Sequence, residues 1–223
     1  MEILFDTANL AAIEEMTPLY PVSGVTTNPT IIRAEGPIDL YAHFRRIREL
    51  IGPDRTLHIQ VLAQDADGIV ADAHRLLDQV DGRVYAKIPT TEQGIRAMRL
   101  LKEEGVGVTA TAIYSKTQGM LAIAAGADYI APYFNRMESL DIDTGATIKS
   151  LAKFIDRHGA ACKIMAASFK NVAQVSAAFE AGAAAVTLHP ALLRAALSAP
   201  DITQAVAAFA EDWYQTFGTT TLP

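Results

Sequence analysis

The sequence predicts an α/β protein folded as a single (β/α)8 barrel of the TIM type, with one additional helix at the C-terminus. Three observations predict it. Eight short apolar runs recur along the chain, each separated from the next by a stretch with helical periodicity. The runs are apolar almost throughout and do not alternate, the pattern of parallel strands covered on both faces. A chain of 223 residues is also the length at which eight such units close into one barrel, a doubly wound open sheet being the second choice.

In chain order the strand-like runs are Ile3 to Asp6, Ser23 to Asn28, Leu57 to Leu62, Val84 to Ile88, Gly107 to Ile113, Tyr129 to Tyr133, Lys163 to Ser168 and Ala184 to Leu188. Between them, Asp65 to Gln79 turns Ile69, Ala73, Leu76 and Leu77 to one side, and Glu92 to Glu104 does the same with Ile95, Met98 and Leu101. Glycines at Gly105 and Gly126 close helices where a left-handed residue is wanted. Pro190 to Leu197 completes the eighth unit. One more amphipathic helix follows, Ile202 to Phe217, with Val206, Phe209, Trp213 and Phe217 at helical spacing. A barrel already has its outer ring, so this apolar face needs cover from its own chain or from a neighbour. Residues 1–223 therefore read as one domain, with the helix at about 201–217 carrying the face that needs this cover.

Half of the residues are hydrophobic and a fifth are charged, the profile of a globular protein with a large core. A formal charge of −6 argues against a nucleic-acid or anionic-membrane surface, so any positive charge used in binding must be local. The single cysteine, Cys162, lies in a strand-like setting and reads as a small core residue suited to a reducing cytoplasm. The chain enters a strand at once (Glu2-Ile3-Leu4-Phe5) and has no apolar stretch long enough to span a bilayer, so neither export nor membrane anchoring is expected.

Lys87 is the most informative residue. It sits in Val84-Tyr85-Ala86-Lys87-Ile88-Pro89, where the pattern calls for a buried strand. Removing an ammonium from water is costly, so a buried lysine tends to lose its proton, and the neutral amine is a nucleophile toward carbonyls. Its ordinary alternative is to snorkel from the end of an outer strand. Function in parallel α/β folds collects at the carboxyl ends of strands, and the polar residues predicted there are Asp6, Asn28, Gln60, Lys87, Thr111, Tyr133 with Asn135 and Arg136, and Ser168 with Lys170. Each has an ordinary use. Asp6 could cap the next helix with Thr7 or Asn9, Asn28 and Ser168 or Asn171 could cap theirs, Thr111 and Tyr133 could satisfy core contacts, and Arg136 could be a solvated loop charge.

Taken together the set has a chemistry. A carbonyl-seeking lysine needs an acid or base to dehydrate the carbinolamine, an acceptor for the hydroxyl proton released on C–C cleavage, and hydrogen bonds to hold a polyol. Asp6, Tyr133 and a water held by Gln60 and Thr111 can fill those roles. Arg136, Ser168 and the N-terminus of the helix starting near Asn171 would suit a sugar phosphate. The five histidines (His43, His58, His74, His158, His189) lack metal-ligand spacing, and there is no GxGxxG, Walker or Gly-x-Ser-x-Gly motif, so neither a metal nor an organic cofactor is expected.

The segments Phe5-Asp6-Thr7-Ala8, Gly24-Val25-Thr26-Thr27-Asn28-Pro29-Thr30, Gln60-Val61, Ala86-Lys87-Ile88-Pro89, Thr111-Ala112-Ile113-Tyr114, Ala131-Pro132-Tyr133-Phe134-Asn135-Arg136 and Ala166-Ala167-Ser168-Phe169-Lys170 resemble the small transaldolase-like family of Schiff-base aldolases. The resemblance covers essentially the whole chain. It implies a TIM barrel with Lys87 as the imine-forming residue, and Asp6, Gln60, Thr111 and Tyr133 as its catalytic partners. It also implies that Asn28 and Arg136 with Ser168 bind substrate, to which Thr26 and Asn135 are added from the same segments. The implied activity is reversible cleavage of a ketose phosphate such as fructose 6-phosphate to dihydroxyacetone and glyceraldehyde 3-phosphate. Transfer of the dihydroxyacetone unit between sugar phosphates is the alternative, and a cofactor-free isomerase or epimerase is a remoter one. In this family a glutamate at the water-holding position marks transfer, whereas Gln60 together with Tyr133 is the aldolase pattern. Small members assemble as paired pentamers, which implies a homodecamer here. Two features depart from the family: His189 follows the eighth run where relatives usually have proline, and Met137 to Asp143 is acidic close to Arg136.

Overall fold

The computed structural model describes residues 1–222 and shows all eight strands closed into one parallel barrel, in the order β1 to β8 with β8 pairing back onto β1. The strands are β1 (Glu2–Asp6), β2 (Gly24–Thr26), β3 (Thr56–Gln60), β4 (Tyr85–Pro89), β5 (Val108–Ile113), β6 (Tyr129–Pro132), β7 (Lys163–Ala166) and β8 (Ala185–Leu188). The helices are α1 (Leu10–Met16), α2 (Pro29–Ala34), α3 (Leu40–Ile51), α4 (Ala66–Gln79), α5 (Glu92–Glu103), α6 (Lys116–Ala124), α7 (Phe134–Glu138), α8 (Thr144–His158), α9 (Val172–Glu180), α10 (Pro190–Leu197) and α11 (Pro200–Phe217). Closure excludes the open sheet.

The apolar strand runs have a simple cause. Alternate residues such as Phe5, Val25, Leu57, Ile88, Ala110, Ile130, Ile164 and Val186 pack outward against the helices, where Phe44, Ile47, Ile69, Met98, Leu101 and Leu151 complete the main core. The intervening residues face the barrel axis. Leu4, Tyr129, Met165 and Ala185 form a separate buried cluster with Tyr85 against it, so the interior is a packed plug and no channel. Polar inward residues sit in this plug or above it.

Four predicted strands end earlier than the apolar pattern suggested. The second ends at Thr26, the third at Gln60, the sixth at Pro132 and the seventh at Ala166. Asn28 instead caps α2, Tyr133 is the N-cap position of the one-turn helix α7, and Ser168 lies beyond β7. The physical reason is shared. Apolar side chains continue past the last ladder bond, but the backbone turns to enter the next helix.

Most helix starts are closed by a side-chain cap, from Asn9, Asn28, Asp39, Asp65, Thr91, Ser115, Asp143 and Asn171. Such caps are each worth about 1 kcal/mol. Gly94 in the first turn of α5 is required by packing: a Cβ there would meet the carbonyl oxygen of Pro89 at 2.0 Å, so α5 lies hard against the end of β4. Cys162 is buried just before β7, and burial pushes its thiol up to about 12, in keeping with a core residue. The helix α11 has no buried residue, with Val206, Phe209 and Phe217 all exposed. Its apolar face finds no cover among the described residues. No helix among them is long and apolar enough to cross a membrane.

Candidate active site

The fourth strand carries Lys87 inward, and the side chain is 2 % exposed. Its Nζ donates to the carbonyl oxygen of Thr27 at 3.1 Å. No carboxylate forms an ion pair with it among the described residues. Desolvation pulls its pKa below the ordinary lysine value, and the negative charge of Asp6 opposes that pull without cancelling it. The snorkelling alternative is excluded by this burial.

Asp6 ends β1 and faces the same space. The cap it might have supplied is made by Asn9, whose side chain accepts from Ala12 N–H, so the Asp6 carboxylate is left for the barrel. It accepts from Thr26 Oγ1 at 2.7 Å, and that hydroxyl also lies 2.6 Å from Thr187 Oγ1. Thr187 carries no signal in the sequence, because a threonine within a strand is an ordinary strand residue. Gln60 ends β3 in register with Lys87 on the neighbouring strand, and its amide has no hydrogen-bond partner among the described residues. Asn28 does cap its helix, through Oδ1 accepting from Thr30 and Ile31 N–H at 2.9 and 3.0 Å. Its Nδ2 remains free.

Thr111 and Tyr133 meet across the mouth, hydroxyl to hydroxyl at 3.0 Å. Burial raises the Tyr133 phenol above its ordinary pKa, against the opposing effects of the Thr111 hydrogen bond and the Arg136 charge. Arg136, on α7, stands 4.9 Å from the centroid of the Tyr133 ring and donates from Nη1 to Tyr114 Oη at 3.1 Å. It is exposed but anchored, unlike a loose loop charge. Ser168 adopts a left-handed backbone, φ 65°, and its carbonyl accepts from Asn135 N–H at 3.0 Å. The cap on α9 is Asn171, accepting from Gln174 N–H, so the Ser168 hydroxyl is not used there. Lys170 is exposed. The acidic segment after Arg136 is partly engaged: Glu138 accepts from Gln174 Nε2, and Asp143 caps α8. His189 caps α10 through Nδ1 and makes no hydrogen bond to these residues.

Three residues that sequence reasoning passed over support the mouth from behind. Tyr114 holds Arg136. Gln174 bridges the α9 entry to Asn135 Oδ1 at 3.1 Å, and Gln118 braces the end of β5. Both glutamines sit three residues after a cap, in Ser115-x-x-Gln118 and Asn171-x-x-Gln174, a capping-box spacing that could have drawn attention to them. Below Lys87, His58 is fully buried, bonded to Thr109 and Thr56 hydroxyls and stacked on Tyr85. Desolvation first, then the Lys87 and Arg48 charges, push it down to about 3, so it is a neutral part of the plug. No cluster of three or more His, Cys, Asp or Glu among the described residues is placed to hold a metal ion.

A closed parallel barrel with a desolvated amine at its mouth, beside a carboxylate, amides, hydroxyls and a guanidinium, is the arrangement that a lysine-dependent, carbonyl-binding enzyme requires. The chain belongs to the transaldolase/fructose-6-phosphate aldolase family, whose model matches residues 3–220. It is 48% identical over 214 residues to a probable fructose-6-phosphate aldolase of Streptococcus pneumoniae, covering 96% of each chain.

Proposed function

We propose that this protein is a class I aldolase that reversibly cleaves fructose 6-phosphate, or a closely similar ketose phosphate, to dihydroxyacetone and glyceraldehyde 3-phosphate. The buried, unpaired amine of Lys87 carries the reading, and the name of the streptococcal relative supports it. Lys87 attacks the C2 ketone, and loss of water from the carbinolamine gives an iminium. The C3–C4 bond then breaks with its electron pair flowing into the iminium, while the C4 hydroxyl passes its proton to Asp6 and leaves as the aldehyde. Protonation of the resulting enamine at C3, by Tyr133 through a water held with Gln60 and Thr111, restores the iminium, whose hydrolysis frees dihydroxyacetone. Asn28 and Thr26 hold the polyol and its partners. Arg136, Ser168 and Asn135 form the phosphate end.

Transaldolase activity is the sister reading within the family. It is disfavoured by Gln60, since a neutral amide cannot exchange a proton with the bound water as a glutamate can. Incubation with fructose 6-phosphate, with and without erythrose 4-phosphate, separates the two. Free dihydroxyacetone in both cases supports the aldolase, whereas efficient formation of sedoheptulose 7-phosphate without free dihydroxyacetone establishes the transferase. Borohydride reduction with dihydroxyacetone, followed by peptide mapping, tests the lysine itself, and a Lys87 adduct removes the isomerase and epimerase readings. The uncovered face of α11 belongs in this proposal as a subunit contact of a homodecamer. A cytoplasmic location, expected from the single cysteine, is part of the same proposal.

A further inference from the structure

We propose that Gln118 is a positioning residue that sets the end of β5, and through it both Tyr133 and Arg136. The proposal rests on the aldolase reading above. The β5–β6 ladder loses register between Ala110 and Ile113, and Ala112 within that gap has φ 56°. A non-glycine residue in the left-handed region is strained and persists only where its surroundings enforce it. Gln118 is the enforcing side chain. Its Nε2 donates to the carbonyl oxygens of Ala112 at 3.3 Å and Thr90 at 3.2 Å, while its Oε1 accepts from Tyr114 N–H at 3.0 Å.

Those three contacts bracket Thr111. On one side, Thr90 pins the Thr111 carbonyl with both its N–H and its hydroxyl, at 2.9 and 2.8 Å, so the strand carrying Lys87 is tied to its neighbour. On the other side, Tyr114 is held in place. The two residues set by this brace reach the mouth: Thr111 meets the Tyr133 hydroxyl, and Tyr114 accepts from Arg136 while its ring lies edge-on to Tyr133 at 5.5 Å. A glutamine three residues after a helix cap would ordinarily reach back to the cap's own N–H. Here it is taken up one residue earlier, at Tyr114, leaving both amide protons for the two strand ends. Gln118 touches none of the groups assigned to chemistry, so it acts through them.

Gln118→Met removes these three hydrogen bonds, together with the one from Ser115 Oγ at 3.4 Å, at similar length, and Gln118→Glu keeps the shape and the acceptor but turns the donor into an oxygen facing two carbonyls. Each is compared with wild type by fructose 6-phosphate cleavage, by borohydride trapping of dihydroxyacetone on Lys87, and by the kcat/KM ratio for glyceraldehyde 3-phosphate over glyceraldehyde in synthesis. The expected result is trapping at the wild-type level with kcat lowered by roughly tenfold to hundredfold, and a smaller preference for the phosphorylated aldehyde. A merely structural residue would lower trapping and turnover together and leave that preference unchanged. A folded variant with wild-type kcat and preference overturns the proposal, and so does failure of both variants to fold, which would make Gln118 a folding residue only. If wild type itself shows neither adduct nor cleavage, the aldolase reading falls first.

Discussion

The Nζ of Lys87 donates to the carbonyl oxygen of Thr27 at 3.1 Å, across sixty positions of sequence. A neutral acceptor steadies the side chain without stabilising its positive charge as a carboxylate would. Burial is therefore free to depress the pKa, with Asp6 too weak a counterweight to prevent it. The amine is kept aimed at the mouth and readily deprotonated.

Lys87→Met should abolish cleavage and borohydride trapping while leaving the fold intact. Because the folded-state pKa is lowered, the unfolded chain binds the extra proton, and wild-type stability rises with pH through the window up to the ordinary lysine value near 10.5. The variant lacks this dependence. Its thermal midpoint should equal or exceed that of wild type at neutral pH, with the difference shrinking as pH rises. A variant less stable than wild type at every pH would contradict the desolvated-amine account.

His58 gives the acid side of the same argument. Its folded pKa of about 3 lies below the ordinary value of 6.5, so stability is complete above pH 6.5 and falls as pH drops toward 3, by up to about 1.4 kcal/mol per pH unit. His58→Gln can still bond the threonine hydroxyls but does not titrate. Urea unfolding at pH 7, 5 and 4 should show a shallower loss for the variant, and parallel losses would remove His58 from the acid response.

Arg136→Ala should raise KM for phosphorylated substrate more than it lowers kcat. A charge-assisted hydrogen bond of roughly 1.5–3 kcal/mol corresponds to about tenfold to a hundredfold. Unphosphorylated substrates should be affected far less. Equal losses on both would place Arg136 outside the phosphate end.

Gln60→Glu, with Tyr133→Phe, should move the enzyme from release of dihydroxyacetone toward transfer to erythrose 4-phosphate. The carboxylate changes the water's proton exchange, and phenylalanine cannot supply a proton to the enamine. The ratio of sedoheptulose 7-phosphate to dihydroxyacetone reads the outcome. An unchanged ratio would assign the partition to other residues.

Truncation from Asp201 onward removes α11 with its exposed Val206, Phe209 and Phe217. The helix does not cover its own barrel, so the remaining domain should fold but sediment as a smaller particle. An assembly of unchanged size would show that α11 links no subunits.

The sequence by itself determined the eightfold alternation and the buried setting of Lys87, because each is a local pattern: apolar runs of strand length, and one charge inside such a run. It also determined which polar residues follow the strands. Which of them face the mouth was decided only by tertiary structure, because capping and catalysis compete for the same side chains at the same place. Asp6 is free since Asn9 takes the cap, and Ser168 is free since Asn171 does. Asn28 serves its cap with one amide atom and leaves the other. The short helix α7, the left-handed Ala112 and the cross-strand reach of Gln118 depend on where β5 and β6 lose register. That is a property of strands brought side by side by closure of the barrel, which no local periodicity encodes.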